Sequence, residues 1–237
     1  SWRQRIEDRV PFQYIVAAAH WRDEVLAVGP GVLIPRPETE IIIDLCADAL
    51  NPIPDTLPIP EGAPWVDLGT GSGALAIGLA RVLPPQTPVI AVDISPSAAS
   101  VARFNIQRCG MEERVEVREG DWFEGVGADL IGRLGGVVSN PPYIPSEVCK
   151  TLQAEVIGHE PLLALDGGDG EGLDDLDQIV VGAKDALLPG GMLVLETGGG
   201  NQPQTLVERL ERSGHFERIS TVKDLGSIER FVIGFRR

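Results

Sequence analysis

Ser139-Asn140-Pro141-Pro142-Tyr143, arriving straight after the apolar run Gly136-Val137-Val138, has the groups needed to hold a planar amine. Proline fixes φ and carries no N–H, so the carbonyls around Asn140 and Pro141 stand as acceptors instead of entering a ladder. The Asn140 side-chain oxygen and the Pro141 carbonyl can take the two hydrogens of an –NH2 group. Pro142 stiffens the loop, and the Tyr143 ring can cover the group's flat face. A single Asn-Pro pair is more often an ordinary turn at a sheet edge, so the rest of the chain has to decide between the two readings.

Three further groups fall where strands should end. Gly69-Thr70-Gly71-Ser72-Gly73 follows Trp65-Val66-Asp67-Leu68 and opens an apolar helix, so the backbone can come close to a ligand at a helix N-terminus. Asp93 lies 24 residues beyond Gly69, the placement at which an acid accepts bonds from two ribose hydroxyls. Asp121 and Trp122 can flank an adenine ring. Together these residues outline a nucleoside-bearing cofactor whose reactive end points to Asn140. The glycine turn also fits a looser dinucleotide pattern, Gly69-x-Gly71-x-x-Ala74. A nicotinamide enzyme, however, needs a group for hydride chemistry, and the loop after Ser139 offers none. An amine holder suits methyl transfer, which favours S-adenosylmethionine over NAD.

The elements that must position these groups alternate from Trp65 onward. Strands are expected at 65–68, 89–94, 115–117, 136–139 and 192–196, with helices at 74–83, from Pro96 to about 109, around 147–156, at 173–188 and at 204–212. Ser95 and Pro96 read as an N-cap followed by the first helical position, and Gly110 as a stop. Two last strands, 217–222 and 230–235, are joined too closely for a crossover helix and should be antiparallel. The expected fold is α/β, a doubly wound, mostly parallel sheet with an antiparallel last strand. Residues 1–50 read as a leading segment of short helix and hairpin, followed by a helix from Ile41 that Thr39 starts. Residues 51–64, with Pro52, Pro54, Pro58, Pro60 and Pro64, read as a loop, and 65–237 as the main domain.

Composition excludes several classes. The chain has 237 residues, 43% apolar and 23% charged, as in an ordinary globular protein. No apolar run reaches the ~18 residues of a membrane helix. The chain opens without Met and reads as a truncated or processed piece. A net charge of -15 with scattered Lys and Arg argues against nucleic acid as the main partner. Cys46, Cys109 and Cys149 are far apart, and His20, His159 and His215 are equally dispersed. That spacing argues for a reducing compartment and against a metal site.

Taken together, Asp67-Leu-Gly-Thr-Gly-Ser-Gly73 and Asn140-Pro-Pro-Tyr143 resemble the S-adenosylmethionine-dependent methyltransferases that modify amide or exocyclic amine nitrogens. Leu33-Ile-Pro-Arg-Pro-Glu-Thr-Glu40, Glu160-Pro, Asp166-Gly-Gly and Pro189-Gly-Gly narrow the resemblance to the release-factor glutamine methyltransferases. That resemblance implies a seven-stranded sheet and methylation of the Gln amide in the Gly-Gly-Gln motif of peptide chain release factors. It also implies a helical N-terminal domain, of which this chain carries at most a remnant. His20-Trp21-Arg22-Asp23 is similar to the plant or cyanobacterial branch, which would place the protein in the cytoplasm or an organellar matrix, plastid or mitochondrial.

Arg36 is a candidate substrate contact, with Glu38 or Glu40 as its rival partners. Amide chemistry of this kind calls for no dedicated base, although Glu38 or Glu160 could approach. Glu196 is expected to brace loop backbone, and the acidic run 166–177 to be a solvated turn and helix start. Two other functions share parts of the pattern. One is a methyltransferase acting on an exocyclic adenine amine in nucleic acid, and the other is a cofactor-binding module without catalysis.

Overall fold

The computed structural model describes residues 2–51 and 57–237; Pro52 and Pro54 of the expected loop lie outside them. Two short helices open the chain where one was expected, α1 (Trp2–Glu7) and α2 (Phe12–Val16). The hairpin of β1 (Ala18–Trp21) and β2 (Glu24–Ala27) follows. A 3-10 turn at Glu38–Glu40 leads into α3 (Ile41–Ala49). Then come β3 (Trp65–Leu68), α4 (Ala74–Val82), β4 (Val89–Asp93), α5 (Pro96–Arg108) and β5 (Val115–Glu119). Ser95 caps α5, its hydroxyl accepting from the Ala98 N–H, with Pro96 in the first turn as the sequence implied. The chain continues through α6 (Trp122–Val126), β6 (Leu134–Ser139), α7 (Ser146–Cys149), α8 (Ala154–His159), α9 (Asp174–Ala186), β7 (Leu187–Glu196), α10 (Gln202–Ser213), β8 (Phe216–Lys223) and β9 (Glu229–Arg236).

Seven strands form one sheet in the order β5-β4-β3-β6-β7-β9-β8, with β9 antiparallel to both β7 and β8. Strand order reverses between β3 and β6, the point at which open α/β sheets bind ligands. Leu68 is in register with Ser139, and the Ser139 hydroxyl donates to the Leu68 carbonyl at 2.6 Å. The glycine turn and the Asn140 loop therefore leave the sheet at the same level, from neighbouring strands.

Alternation along the strands fills both faces. Trp65 and Val138 join Ile42, Ile43, Leu75 and Ile77 on one side, while Val66, Leu68 and Val137 join Leu176, Ile179, Leu206 and Leu210 on the other. Strands covered on both faces read as unbroken apolar runs, which is why they were visible in sequence. A buried side chain helps tie on the leading hairpin: Asn105 of α5 accepts from the Ala27 N–H at 2.7 Å and donates to the Ala27 and Ser72 carbonyls at 2.9 Å each.

Two expectations needed correction here, and one helix had no counterpart in the sequence reading. The helix expected around 147–156 is two, because the Thr151 hydroxyl turns back onto the Val148 carbonyl at 2.8 Å and Gln153 is extended. Pro189-Gly190-Gly191 does not precede the fifth strand but lies inside β7, where Leu187 and Met192 face Leu134 and Gly136 across an irregularity in the pairing. Helix α6 was not foreseen. It follows a close approach of two glycines, since a Cβ on Gly120 would stand 2.5 Å from the Gly125 Cα.

Candidate functional site

A cavity of about 270 Å³ opens at the carboxyl ends of β3, β4, β5 and β6. Gly69, Thr70, Gly71 and Ser72 form one wall. The Gly69 and Thr70 N–H groups both donate to the Val92 carbonyl at 2.9 Å, which pins the turn to β4. Gly69 has φ +73, and a Cβ there would meet the Trp122 ring at 3.4 Å, so only glycine leaves the turn both unstrained and open. Beneath it, buried Asp67 accepts from the Thr70 hydroxyl at 2.6 Å and from the Ala76 N–H at 3.1 Å, both on Oδ2; its Oδ1 has no partner among the described residues. Burial pushes the Asp67 carboxyl up to about 7.

Asp93 also lines the cavity. Its Oδ2 accepts from the Gly71 N–H at 2.8 Å and its Oδ1 from the Ser95 N–H at 2.9 Å, so each oxygen keeps a lone pair for a further donor. Its own burial raises its pKa. Asp121 and Trp122 form the next part of the wall. Trp122 has φ +39, a costly conformation for a large side chain, and its indole N–H donates to Asp175 of α9.

Asn140 enters from the β6 side. Its Nδ2 donates to the Thr39 hydroxyl at 3.1 Å, and Thr39 in turn donates to Glu196 Oε2 at 2.6 Å. Tyr143 donates its phenol to Glu196 Oε1 at 3.3 Å. Glu196 is 1% exposed at the end of β7, and burial pushes it up to about 7 against the nearby Arg230 charge. The same burial raises the Tyr143 phenol. Asn140 Oδ1 has no partner among the described residues and is not sealed off, so it remains an open acceptor at the cavity.

The comparisons with known proteins fit this geometry. Residues 59–211 match a family model described as a methyltransferase domain. Over 234 residues the chain is 46% identical to the release factor glutamine methyltransferase of Gloeobacter violaceus, covering 99% of this chain and 77% of that one. It is also 46% identical over 232 residues to that of Synechocystis sp., covering 98% and 75%. The chain belongs to the release factor glutamine methyltransferase family. A crystal structure of the release-factor-specific protein-(glutamine-N5) methyltransferase from Alicyclobacillus acidocaldarius superposes with a TM-score of 0.50 at 29% identity, covering 90% of this chain and 99% of that one. This methyltransferase is therefore an enzyme that uses S-adenosylmethionine.

Most of the residues singled out in sequence gather at one cavity of the methyltransferase: Gly69 to Ser72, Asp93, Asp121, Trp122, Asn140, Pro142 and Arg36 line it. Gly73, Pro141 and Tyr143 do not. Gly73 packs against Ala102 of α5, where a Cβ would meet the backbone at 3.4 Å, and Pro141 is buried. The Tyr143 ring lies against Gly198 instead of facing the cavity, and its phenol is committed to Glu196. Arg36 pairs with neither Glu38 nor Glu40. Its guanidinium holds Glu160 at 2.7 Å, and Glu160 also accepts from the Ile34 N–H at 3.3 Å, which clips the proline-flanked loop in place.

Sequence reading missed several members of this methyltransferase site. Thr39 caps no helix, since its hydroxyl goes to Glu196, and Glu196 holds side chains instead of backbone. Asp175 and Gln178 reach the cavity from α9, and the buried Gln202 amide donates to the Tyr143 and Glu171 carbonyls at 2.7 and 2.6 Å. The acidic run is only partly solvated: Asp166 Oδ1 accepts from the Ser146 hydroxyl at 2.7 Å and from the Gly168 N–H at 3.0 Å, beside the Asn140 loop. The Gly167-Gly168 and Gly198-Gly199-Gly200 runs were the available signal, because glycines mark where other chain segments come close.

Proposed function

We propose that this chain transfers a methyl group from S-adenosylmethionine to the side-chain amide nitrogen of the Gln in the Gly-Gly-Gln motif of peptide chain release factors. The observation that carries this reading is the open Oδ1 of Asn140, held at the cavity with its –NH2 engaged by the Thr39 hydroxyl. The relatives named for that activity support it, and the net charge of -15 weighs against a nucleic-acid acceptor.

The residues present fit the cofactor. Asp93 has spare lone pairs for two ribose hydroxyls, Asp121 and Trp122 bound the space for an adenine, and the turn Gly69 to Gly73 admits a close backbone approach ahead of α4. Bound there, S-adenosylmethionine supplies a methyl group on a positively charged sulfur. The protein's part is alignment, because an amide lone pair is delocalised into its carbonyl and attacks weakly. Asn140 Oδ1 accepts one of the amide hydrogens, and that bond strengthens as positive charge grows on the nitrogen. Pro142 stiffens the loop, and Tyr143 acts from behind it, through Glu196. The nitrogen gains the methyl and releases one proton to water. Glu160 is engaged by Arg36 and the Ile34 N–H, and Glu196 by Thr39 and Tyr143, so neither carboxylate is free to act as a base.

Among the described residues no helix is long and apolar enough to cross a membrane. A reducing compartment, the cytoplasm or an organellar matrix, suits the three free thiols. The test is incubation with methyl-labelled S-adenosylmethionine and either a release factor or nucleic acid. Label on the release factor is expected; label on nucleic acid with the release factor blank overturns the proposal.

A further inference from the structure

An asparagine amide offers oxygen or –NH2 with nearly the same shape, so holding an amine requires something that forbids the flipped form. Thr39 Oγ1 lies 2.6 Å from Glu196 Oε2 and 3.1 Å from Asn140 Nδ2. A hydroxyl has one proton, and an ionised carboxylate can only accept it. With its O–H directed to Glu196, Thr39 offers only lone pairs to Asn140, which must then present Nδ2 to Thr39 and leave Oδ1 for the acceptor.

We propose that Thr39 and Glu196 are positioning residues: ionised Glu196 accepts the hydrogen bond of the Thr39 hydroxyl, and Thr39 thereby locks Asn140 with its oxygen towards the amine to be methylated. This rests on the function proposed above. The same carboxylate anchors both ends of the loop, since its Oε1 accepts from Tyr143 four residues past Ser139. The charged and titratable groups facing Glu196 are Arg230 from β9, Tyr143 from the loop and Glu38 from the 3-10 turn. Arg230 is itself paired with Asp224 at 2.9 Å, which divides its attraction between two carboxylates. A protonated Glu196 donates to Thr39, frees the Thr39 proton for Asn140 Oδ1 and allows the flip. Turnover therefore falls as pH drops through the titration of Glu196.

The experiment uses the full chain saturated with S-adenosylmethionine. Thr39→Val keeps the shape and removes the hydroxyl; kcat on the release factor should fall at least about tenfold, with cofactor affinity by calorimetry unchanged. Thr39→Ser should stay within about threefold of the parent. Glu196→Gln should lose the acidic limb of the kcat profile. A second readout needs no acceptor: with 15N-labelled asparagine, the Asn140 side-chain protons should exchange with water faster in Thr39→Val than in the parent. Parental kcat in Thr39→Val, a Thr39→Ser variant as impaired as the valine one, an unchanged acidic limb in Glu196→Gln, or equal Asn140 exchange overturns the lock. Absence of release-factor methylation by the parent chain, with Asn140 exchange still dependent on Thr39, overturns the proposed function and leaves the lock standing.

Discussion

Arg36 Nη2 lies 2.7 Å from Glu160 Oε1, joining the proline-flanked loop ahead of α3 to the segment that follows α8. The Glu160 side chain is only 3% exposed and that of Arg36 31%, so removing the cation strands a nearly buried carboxylate whose remaining partner is the Ile34 N–H. That loop supplies Val32, Leu33 and Pro35 to the cavity wall.

Arg36→Ala should therefore weaken S-adenosylmethionine binding about tenfold and lower stability by about 1–2 kcal/mol, less than a fully buried pair because Arg36 is partly solvated. Calorimetric titration and chemical unfolding check both numbers. Unchanged cofactor affinity would show that the clip has no bearing on the cavity.

The sheet was legible because its strands are covered on both faces and read as apolar runs, and because Gly69 to Gly73, Asp93 and Asn140 mark strand ends in fixed order. The partners of those groups were not legible. Thr39 and Glu196 are 157 positions apart, Arg36 and Glu160 are 124 apart, and no local periodicity announces such pairings. Thr39 beside two glutamates looks like a helix start, and only the tertiary neighbour redirects its hydroxyl. The strand that runs through Pro189-Gly190-Gly191 was lost for the same reason, since local propensity there yields to pairing with β6, whereas the two-helix break at Thr151 is local, its hydroxyl returning to the Val148 carbonyl.

Gly167 backs the Asn140 loop so closely that a Cβ would stand 2.5 Å from the Gly172 carbonyl oxygen, 2.7 Å from the Tyr143 Cα and 2.9 Å from the Pro142 oxygen. All three are backbone, so no rotamer change can relieve the clash. Gly167→Ala should destabilise by about 1–3 kcal/mol and displace Asn140, lowering kcat more than cofactor affinity. Thermal unfolding with steady-state kinetics checks this; wild-type kcat would mean that the loop tolerates the displacement.

The buried acids give stability an unusual pH slope. Asp67 and Glu196 are pushed to about 7, from 3.8 and 4.5, so the folded protein holds their protons more tightly than the unfolded chain does. The stability they contribute is fully present below the unfolded values and is lost as pH rises through about 7. Asp224 and Asp166, whose pKa values are lowered, act the other way but only towards more acidic pH. The melting temperature of the ligand-free protein should thus fall from about pH 5 to pH 8, with a smaller fall in Asp67→Asn. A melting temperature that climbs over that window contradicts the raised values.

Asn140→Ala should leave S-adenosylmethionine affinity largely intact while turnover drops by more than about tenfold, because the side chain acts on the acceptor amine and not on the cofactor. Calorimetry and single-turnover kinetics separate the two effects. Lost cofactor affinity with normal turnover of the loaded enzyme would remove the acceptor role.

The most direct measurement is peptide mapping by tandem mass spectrometry of a release factor incubated with this protein and S-adenosylmethionine. One added methyl on the side-chain nitrogen of the Gly-Gly-Gln glutamine, formed more slowly by more than about tenfold with Asn140→Ala, is the predicted result. A methyl on any other residue, or an unmodified glutamine after complete turnover of a nucleic-acid substrate in parallel, would contradict it.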